Sequence, residues 1–517
     1  MKRVTLLASL VATSGRVGET RARLAKVREL AALLTSLAPS EIAIATRYLS
    51  GETPQGRIGL GYASLEGASA QAPASQASLS IAAVDESLTQ LMGLRGAGSA
   101  ARRSEALDLL FTRATAAEQQ FLLQLFAGEL RQGALAGIMV DAIAAAAQLP
   151  PAQVRRAAMY APDLGAVARV ALLEGGAALC QFQLELFAPV APMLAQTAAD
   201  VAEALRALAG AAAFEWKMDG ARIQVHRDGA QVRIYTRALN EVTDAIPEIV
   251  DLVRALPAPQ LILDGEAIAF DAAGRPRPFQ VTMRRFGRRL GVQELRATIP
   301  LRAYFFDCLR LGTHTLADQP TQERFAALAA TVPESARVPR LVTEDIAAAQ
   351  RFYEAALAAG HEGVMAKGLQ APYEAGNRGA SWLKIKRAHT LDLVVLAAEW
   401  GHGRRRGKLS NLHLGALEPA RGEYTMLGKT FKGLTDEVLE WQTQELLARA
   451  VRRDATTVYV RPELVVEIAF SDLQASSRYP GGVALRLARV KGYRPDKSVL
   501  EADNMEAVRR IFAAQGA

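Results

Sequence analysis

Near residue 193 the apolar pattern of this 517-residue chain changes its period. Up to about Met193, apolar residues, many of them alanine, recur at helical spacing. From Pro192-Met193-Leu194 onward, short alternating runs bounded by turn residues take over, the pattern of half-buried strands. A single bundle or a single sandwich would keep one period throughout, so the chain is predicted to fold as a helical unit followed by strand-rich ones. The length allows roughly three domains of ordinary size. We assign residues 1–193 to an all-α unit, 194–389 to an α+β unit built on antiparallel sheets, and 390–517 to a small β-barrel.

Within the helical section the tracts 63–80 and 93–99, rich in small and polar residues, read as loops. The first residues imitate a signal peptide, with Lys2-Arg3 ahead of a short apolar run. That run is weak, and Leu6, Leu7, Leu10 and Val11 follow helical spacing, which predicts an amphipathic first helix. The Ala-rich run 138–149 contains Asp141 and is too short to span a bilayer, and no other stretch is long and apolar enough. In the middle section, 222–227 and 231–236 flank Asp228-Gly229, a strong hairpin signal. Helices are expected near 245–256, 321–330 and 352–359. Beyond His389 the runs 391–396, 412–417, 424–429 and 464–470 suggest the barrel.

Chemistry concentrates in the middle section. In Glu215-Trp216-Lys217-Met218-Asp219-Gly220-Ala221-Arg222 a lysine precedes Asp-Gly and an arginine, on what reads as the lip of a β-hairpin. A protonated lysine cannot attack phosphorus, so nucleophilic use of Lys217 requires desolvation or neighbouring positive charge to lower its pKa. Arg222 and the alternating pair Lys384 and Lys386, in Trp382-Leu383-Lys384-Ile385-Lys386-Arg387, could supply that charge and hold a phosphate beside Lys217. Read alone, the second run is an exposed strand with solvated lysines. Glu266 follows Asp264-Gly265, ordinary turn chemistry between strands, yet a carboxylate in the apolar run 261–270 needs a cation or hydrogen-bond donors. Alternation leaves either Phe305 or Phe306 as core, and Glu362 after His361 also fits a helix-to-strand turn. What removes chance is the order: the Lys217 motif, then Leu263-Asp264-Gly265-Glu266, Tyr304-Phe305-Phe306-Asp307, Glu362-Gly363-Val364-Met365-Ala366-Lys367, the Lys384/Lys386 strand, and Arg494-Pro495-Asp496-Lys497.

On that ordered set the chain resembles the covalent nucleotidyltransferases: ATP-dependent DNA ligases, RNA ligases and mRNA capping enzymes. It is most similar to the bacterial and archaeal ATP-dependent DNA ligases that carry an N-terminal DNA-binding domain, over nearly its whole length. The resemblance implies a helical DNA-binding domain, a nucleotidyltransferase (adenylation) domain and an OB-fold domain. It implies that ATP adenylylates Lys217, that AMP passes to the 5′-phosphate at a nick in duplex DNA, and that the 3′-hydroxyl displaces AMP, in replication, recombination and repair. By the same resemblance Glu215 contacts adenine through its backbone or side chain, Phe306 stacks on the base, and Arg222 and Arg237 bind the nucleotide or the nick phosphate. Glu266 serves ribose and metal, Glu362 is the second metal carboxylate, and Arg378 contacts the nucleotide. Lys384 and Lys386 hold the α-phosphate, and Arg494 with Lys497 orients pyrophosphate. Mg²⁺ is the implied metal, although oxygen ligands also accept Mn²⁺. The segment 125–134 resembles the turn by which such a domain approaches DNA; Arg131 there either reaches a groove or pairs with Glu129.

Composition bounds the alternatives. A net charge of +8 and a pI near 9.5 favour a polyanionic partner. Arg284-Arg285 with Arg288-Arg289, and Arg404-Arg405-Arg406 with Lys408, are local concentrations able to neutralise phosphates. Only two cysteines, Cys180 and Cys308, are present, too few for the four-cysteine zinc module typical of NAD-dependent ligases, so ATP is the expected donor. The expected protein is a monomer that encircles nicked duplex DNA, free of membranes, cytoplasmic and nucleoid-associated. An RNA ligase or capping guanylyltransferase would lack the large helical section, and a non-catalytic DNA-binding scaffold would have no need of Lys217, Glu266, Glu362 and Lys384 together.

Overall fold

The computed structural model describes residues 4–20, 22–56, 62–96, 98–128, 130, 136–287, 291–376, 378–387, 389–402 and 405–514. Ahead of residue 182, helices from Leu7–Glu19 to Leu164–Leu173 share one apolar core that includes Leu10, Leu34, Leu88, Phe111 and Ile143. The first helix buries Leu7 and Leu10 as its spacing predicts. One expectation is corrected: the tract 63–80 is not all loop, because Tyr62–Ser69 is a helix. Its polar composition hides it, yet Leu65 and Ala68, three residues apart, reach the core and anchor one face. The tract 93–99 is the short connection between helices Ile81–Gly93 and Ser99–Thr112. Arg131 and Glu129 lie outside the described residues.

The middle region holds two five-stranded sheets. In the first, Ala212–Lys217 lies between Gly363–Gly368 and Arg340–Thr343, and Trp382–Lys386 follows beyond Gly363–Gly368. In the second, Ala221–Asp228 lies between Gln231–Thr236 and Gln260–Ala269, with Leu301–Leu311 beyond. These pairings are antiparallel. Helices Pro247–Arg254 and Thr321–Thr331 pack on the second sheet around Ile223, Val225, Leu263 and Phe305. The Asp228-Gly229 hairpin forms as expected, with Asp228 opposite Gln231.

Lys217, however, is not on the lip of a hairpin. The strands on either side of it belong to different sheets, and the chain crosses between them at Met218-Asp219-Gly220. The glycine serves that crossing: a Cβ at Gly220 would lie 2.4 Å from the Ala267 carbonyl oxygen and 2.8 Å from Glu266 Cγ. Asp-Gly here permits close approach to the strand carrying Glu266, which turn statistics alone do not distinguish from a tight turn.

The C-terminal region is strand-rich. The long strand His389–Trp400 pairs with Leu409–Glu418, Thr457–Val460 and Val465–Phe470, and irregular registers after Val395 and Glu399 bend it so that the sheet curls. Leu393, Val395, Leu412, Leu414, Val466 and Ile468 fill its interior, closed by helices Asp436–Ala448 and Met505–Ala514. Polar contacts tie the regions together: Arg156 to Asp318 at 2.8 Å, Arg486 to Asp219 at 2.9 Å, and Gln280 to Gln474 at 3.2 Å. Among the described residues no helix is long and apolar enough to cross a membrane.

Candidate active site

A cavity of about 1280 Å³ opens between the two middle sheets and is bordered from the C-terminal region by Arg486 and Leu487. It exceeds a typical small-ligand pocket of about 300–1,000 Å³. Lys217, Glu215, Arg222, Arg237, Glu266, Phe306, Glu362, Arg378, Lys384 and Lys386 all border it. Arg494 and Lys497 do not. Their side chains converge instead on Asp392, with Arg494 Nη1 at 3.2 Å from Asp392 Oδ2, and Arg494 also pairs with Asp496.

Lys217 ends its strand with Nζ 2.5 Å from Glu362 Oε2, and Lys386 Nζ lies 3.4 Å from the same oxygen. Burial works to lower the Lys217 pKa, but Glu362 above all, then Glu266 and Asp219, raise it above the ordinary lysine value. This reverses the expectation of a depressed amine. The charge expected from Arg222 is spent on Asp264, and the carboxylates, not the cations, stand nearest to Lys217. Burial would likewise raise Glu362, yet Lys217 and Lys386 hold it down at about 2. Glu266 is the opposite case: burial, only partly offset by Lys217 and Arg222, pushes its carboxyl up to about 8. Lys384 is lowered by burial and then by Arg378, Lys386 and Lys217.

The far wall is built from partners that sequence reading missed. Glu215, 2% exposed, is clamped between Arg340 Nε at 2.8 Å and Lys367 Nζ at 2.6 Å. Lys367 is itself buried, its ammonium pushed down by desolvation, and lies 4.1 Å from the Trp382 ring centre and 4.5 Å from that of Phe306. Phe305 is core with no exposure, so Phe306 is the ring that faces the cavity. Arg222 makes a two-point pair with Asp264 at 2.6 and 3.0 Å and donates to the Met193 carbonyl and the Tyr373 hydroxyl. Asp264, Lys367 and Trp382 stand inside runs already singled out; Arg340 and Tyr373 carry no local signal. Arg237 and Arg378 are exposed at the rim.

The arginine clusters divide. Arg285, 1% exposed, is a structural cation: it pairs with Glu248 at 2.7 Å and donates to the carbonyls of Ala245 and Ile299, so it is not available to phosphate. Arg405 donates to the Phe431 carbonyl and Lys408 pairs with Glu440. Arg284 and Arg406 are exposed, and Arg288, Arg289 and Arg404 lie outside the described residues.

Comparison with known proteins decides the family. Family models match along the chain: "ATP dependent DNA ligase domain" over 192–386, "ATP dependent DNA ligase C terminal region" over 405–497, and "DNA ligase N terminus" over 61–144. A probable DNA ligase of Anaeromyxobacter dehalogenans (strain 2CP-C) is 58% identical over 98% of this chain and 99% of its own length. The chain belongs to the ATP-dependent DNA ligases. A second relative of this ligase, a probable DNA ligase of Sorangium cellulosum, is 54% identical over 98% of the chain and 95% of its own length. The solved structure named Pmar-Lig_Pre is 18% identical and shares the ligase's fold with a TM-score of 0.62, over 94% of this chain and 99% of that one. As a family member the ligase is an enzyme that takes ATP as adenylate donor and seals nicks in DNA through a lysyl-AMP intermediate.

Proposed function

We propose that Lys217 is the nucleophile of this ligase and that the cavity around it carries all three steps of nick sealing. The observation that carries this reading is the Lys217 Nζ to Glu362 Oε2 contact of 2.5 Å inside a cavity that also gathers Glu266, Phe306, Lys384 and Lys386. In the first step the Lys217 ammonium loses its proton to water in the open cavity and the free amine attacks the α-phosphorus of ATP. A P–N bond forms, the P–O bond to pyrophosphate breaks, and Lys384 and Lys386 hold the α-phosphate oxygens. Phe306 stacks on adenine above the Lys367 and Trp382 pair, with the Glu215 backbone at its edge, because the Glu215 side chain is already engaged. Arg222 braces the ribose side of the cavity from its anchorage on Asp264, and Arg237 and Arg378 at the rim meet nucleotide or nick phosphate.

The donor set fits Mg²⁺. That ion is ordinarily held by one or two carboxylates plus substrate phosphates. No cluster of three or more metal-ligating side chains occurs among the described residues, while the half-buried Glu266 has no ion pair or hydrogen bond from its carboxylate to any described residue. Glu266 and Glu362 would hold the ion, which when bound supplies neutralisation of phosphate charge and an acidified 3′-hydroxyl.

We propose that the partner is nicked duplex DNA encircled by a monomer, and partition the chain as a DNA-binding domain over 1–193, an adenylation domain over 194–389 and an OB-fold domain over 390–517. Arg494 and Lys497 serve the first step, so the terminal domain rotates to bring them to pyrophosphate; the expected linker at 389–392 is corrected, because these residues pair with 467–470 inside that domain's own sheet and move with it, which puts the hinge ahead of His389. We locate the enzyme in the cytoplasm on nucleoid DNA. The test is to incubate the protein and Lys217→Ala with Mg²⁺ and α-labelled ATP, α-labelled GTP or adenylate-labelled NAD⁺. ATP-specific covalent label, absent in Lys217→Ala and discharged into sealed DNA by a nicked duplex, is expected. Label from GTP or NAD⁺, or label that survives Lys217→Ala, would overturn the assignment.

A further inference from the structure

Tyr373 lies in the connection between the strands Gly363–Gly368 and Trp382–Lys386, is 1% exposed and does not border the cavity. Its hydroxyl nevertheless touches three groups that set the cavity's shape. It donates to Asp264 Oδ2 at 2.7 Å, and it accepts from Arg222 Nη2 at 3.1 Å and from the Met193 N–H at 3.0 Å. A phenol offers one donor and two acceptor positions, so this hydroxyl is saturated. Its ring lies edge-on to Trp382 with centres 5.8 Å apart, and Trp382 in turn meets Phe306 at 6.1 Å.

Met193 links this hub to the helical region. It ends the segment 184–193, which is strapped to the second sheet along its length. Arg310 donates to the Leu184 carbonyl at 2.9 Å, the Phe187 N–H donates to His226 Nδ1 at 2.9 Å, and Gln224 bonds both the N–H and the carbonyl of Val190. Directly after the strap, Met193, Leu194 and Ala195 border the cavity. The Tyr373 N–H also donates to the Ala317 carbonyl, next to Asp318, which holds Arg156 of the helical region.

We infer that Tyr373 is a positioning residue for the nucleotide: its hydroxyl fixes Arg222 and the Met193–Ala195 wall relative to Asp264, so that the cavity is preformed for ATP before Lys217 reacts. This rests on the assignment of the cavity as the adenylylation site. Removing only the oxygen leaves the ring packing in place and frees Arg222 and Met193 to shift.

The experiment measures the rate of Lys217 labelling against ATP concentration in the full chain, for wild type, Lys217→Ala and Tyr373→Phe. Tyr373→Phe loses all three hydrogen bonds and is expected to raise the KM for ATP about five-fold or more, the share of the one that holds Arg222 at ordinary strength, with the saturating rate within about two-fold. A merely structural role would lower the saturating rate in proportion to the folded fraction and leave KM unchanged, and that result overturns the inference. Should Tyr373→Phe not fold, Asp264→Asn decides: it keeps the shape while weakening the pull on Tyr373 and Arg222, and an unchanged KM sinks the proposal. Failure of the wild type to label at Lys217 would remove the site assignment itself, a result separate from wild-type labelling with an unaltered variant KM.

Discussion

At the scale of single residues the site is organised by where carboxylates sit, and this is the part least legible in the sequence. The motif order picks out Lys217, Glu266, Glu362, Lys384 and Lys386, and the structure gathers all of them around one cavity. What the motifs do not carry is which charges touch. Glu362 ion-pairs with Lys217 and raises its pKa, so the proposed nucleophile is held in its protonated form. Glu362→Gln removes the largest raising charge, so the free amine becomes available at lower pH. Acylation of Lys217 by an amine-reactive reagent, in the absence of ATP, should then run faster at a fixed near-neutral pH, by about ten-fold for each pKa unit recovered. Peptide mapping of the modified lysine measures this, and equal rates would show that Glu362 does not hold the proton. Glu266 makes the converse prediction. Its folded pKa, raised from 4.5 to about 8, means that the folded state binds a proton the unfolded state releases. The contribution to stability is complete below about pH 4.5 and is lost as pH rises through about 8, a change on the order of 5 kcal/mol. In the absence of metal and nucleotide, Glu266→Gln should therefore lose less of its thermal midpoint between acidic and mildly alkaline buffer than wild type does. Parallel curves for the two proteins would rule this out.

At the scale of elements, alternation locates strands best where one face is buried and the other is not, as in Gln231–Thr236 and Leu301–Leu311, whereas Ala212–Lys217 and Gln260–Ala269 are buried largely on both faces and read as continuous apolar runs. Gln231–Thr236 has the expected limits, and Leu301–Leu311 places Phe305 inward and Phe306 toward the cavity. Two readings failed for physical reasons. Tyr62–Ser69 meets the core, among its described side chains, through Leu65 and Ala68, and the Lys217 crossing uses an Asp-Gly pair for close packing in place of a turn. Long-range ion pairs between elements carry no local signal at all, and one of them holds the strand with Phe306 in place. Asp307 and Arg324, both fully buried, meet at 2.8 Å and join that strand to helix Thr321–Thr331. Arg324→Met leaves the Asp307 carboxylate without a cation and should cost about 3–5 kcal/mol, lowering the unfolding midpoint sharply, whereas Asp307→Leu combined with Arg324→Met should recover most of that loss. Denaturation of the two variants side by side tests the coupling; equal losses in both would mean that the pair's packing matters and its charge does not.

At the scale of the whole molecule, the two cations proposed to orient pyrophosphate, Arg494 and Lys497, are away from the cavity. Arg494 and Lys497 pair with Asp392 at the start of the C-terminal sheet, and Arg494 also with Asp496, while that region docks on the middle one through Arg486 and Asp219 and through Gln280 and Gln474. No single sequence discloses this, because domain placement depends on a few polar contacts of modest strength that span hundreds of residues. It has a consequence for the catalytic cycle. If the docked arrangement belongs to the two DNA steps, fixing it must separate them from lysine adenylylation. A Gln280→Cys and Gln474→Cys pair, in a Cys180→Ser background to remove the exposed native thiol, can be joined by a short thiol cross-linker. The linked enzyme should lose ATP labelling of Lys217 by about two orders of magnitude, the scale of effect when a reacting group is held out of place. It should still seal a nick whose 5′-phosphate already carries AMP, at a rate within about three-fold of the unlinked protein. Full labelling by the linked enzyme would mean that Arg494 and Lys497 reach pyrophosphate without rotation, or that they play no part in the first step. Loss of both activities would instead place the docked arrangement outside the DNA steps, and the role of the Arg486 to Asp219 contact would then lie in holding the enzyme closed between turnovers.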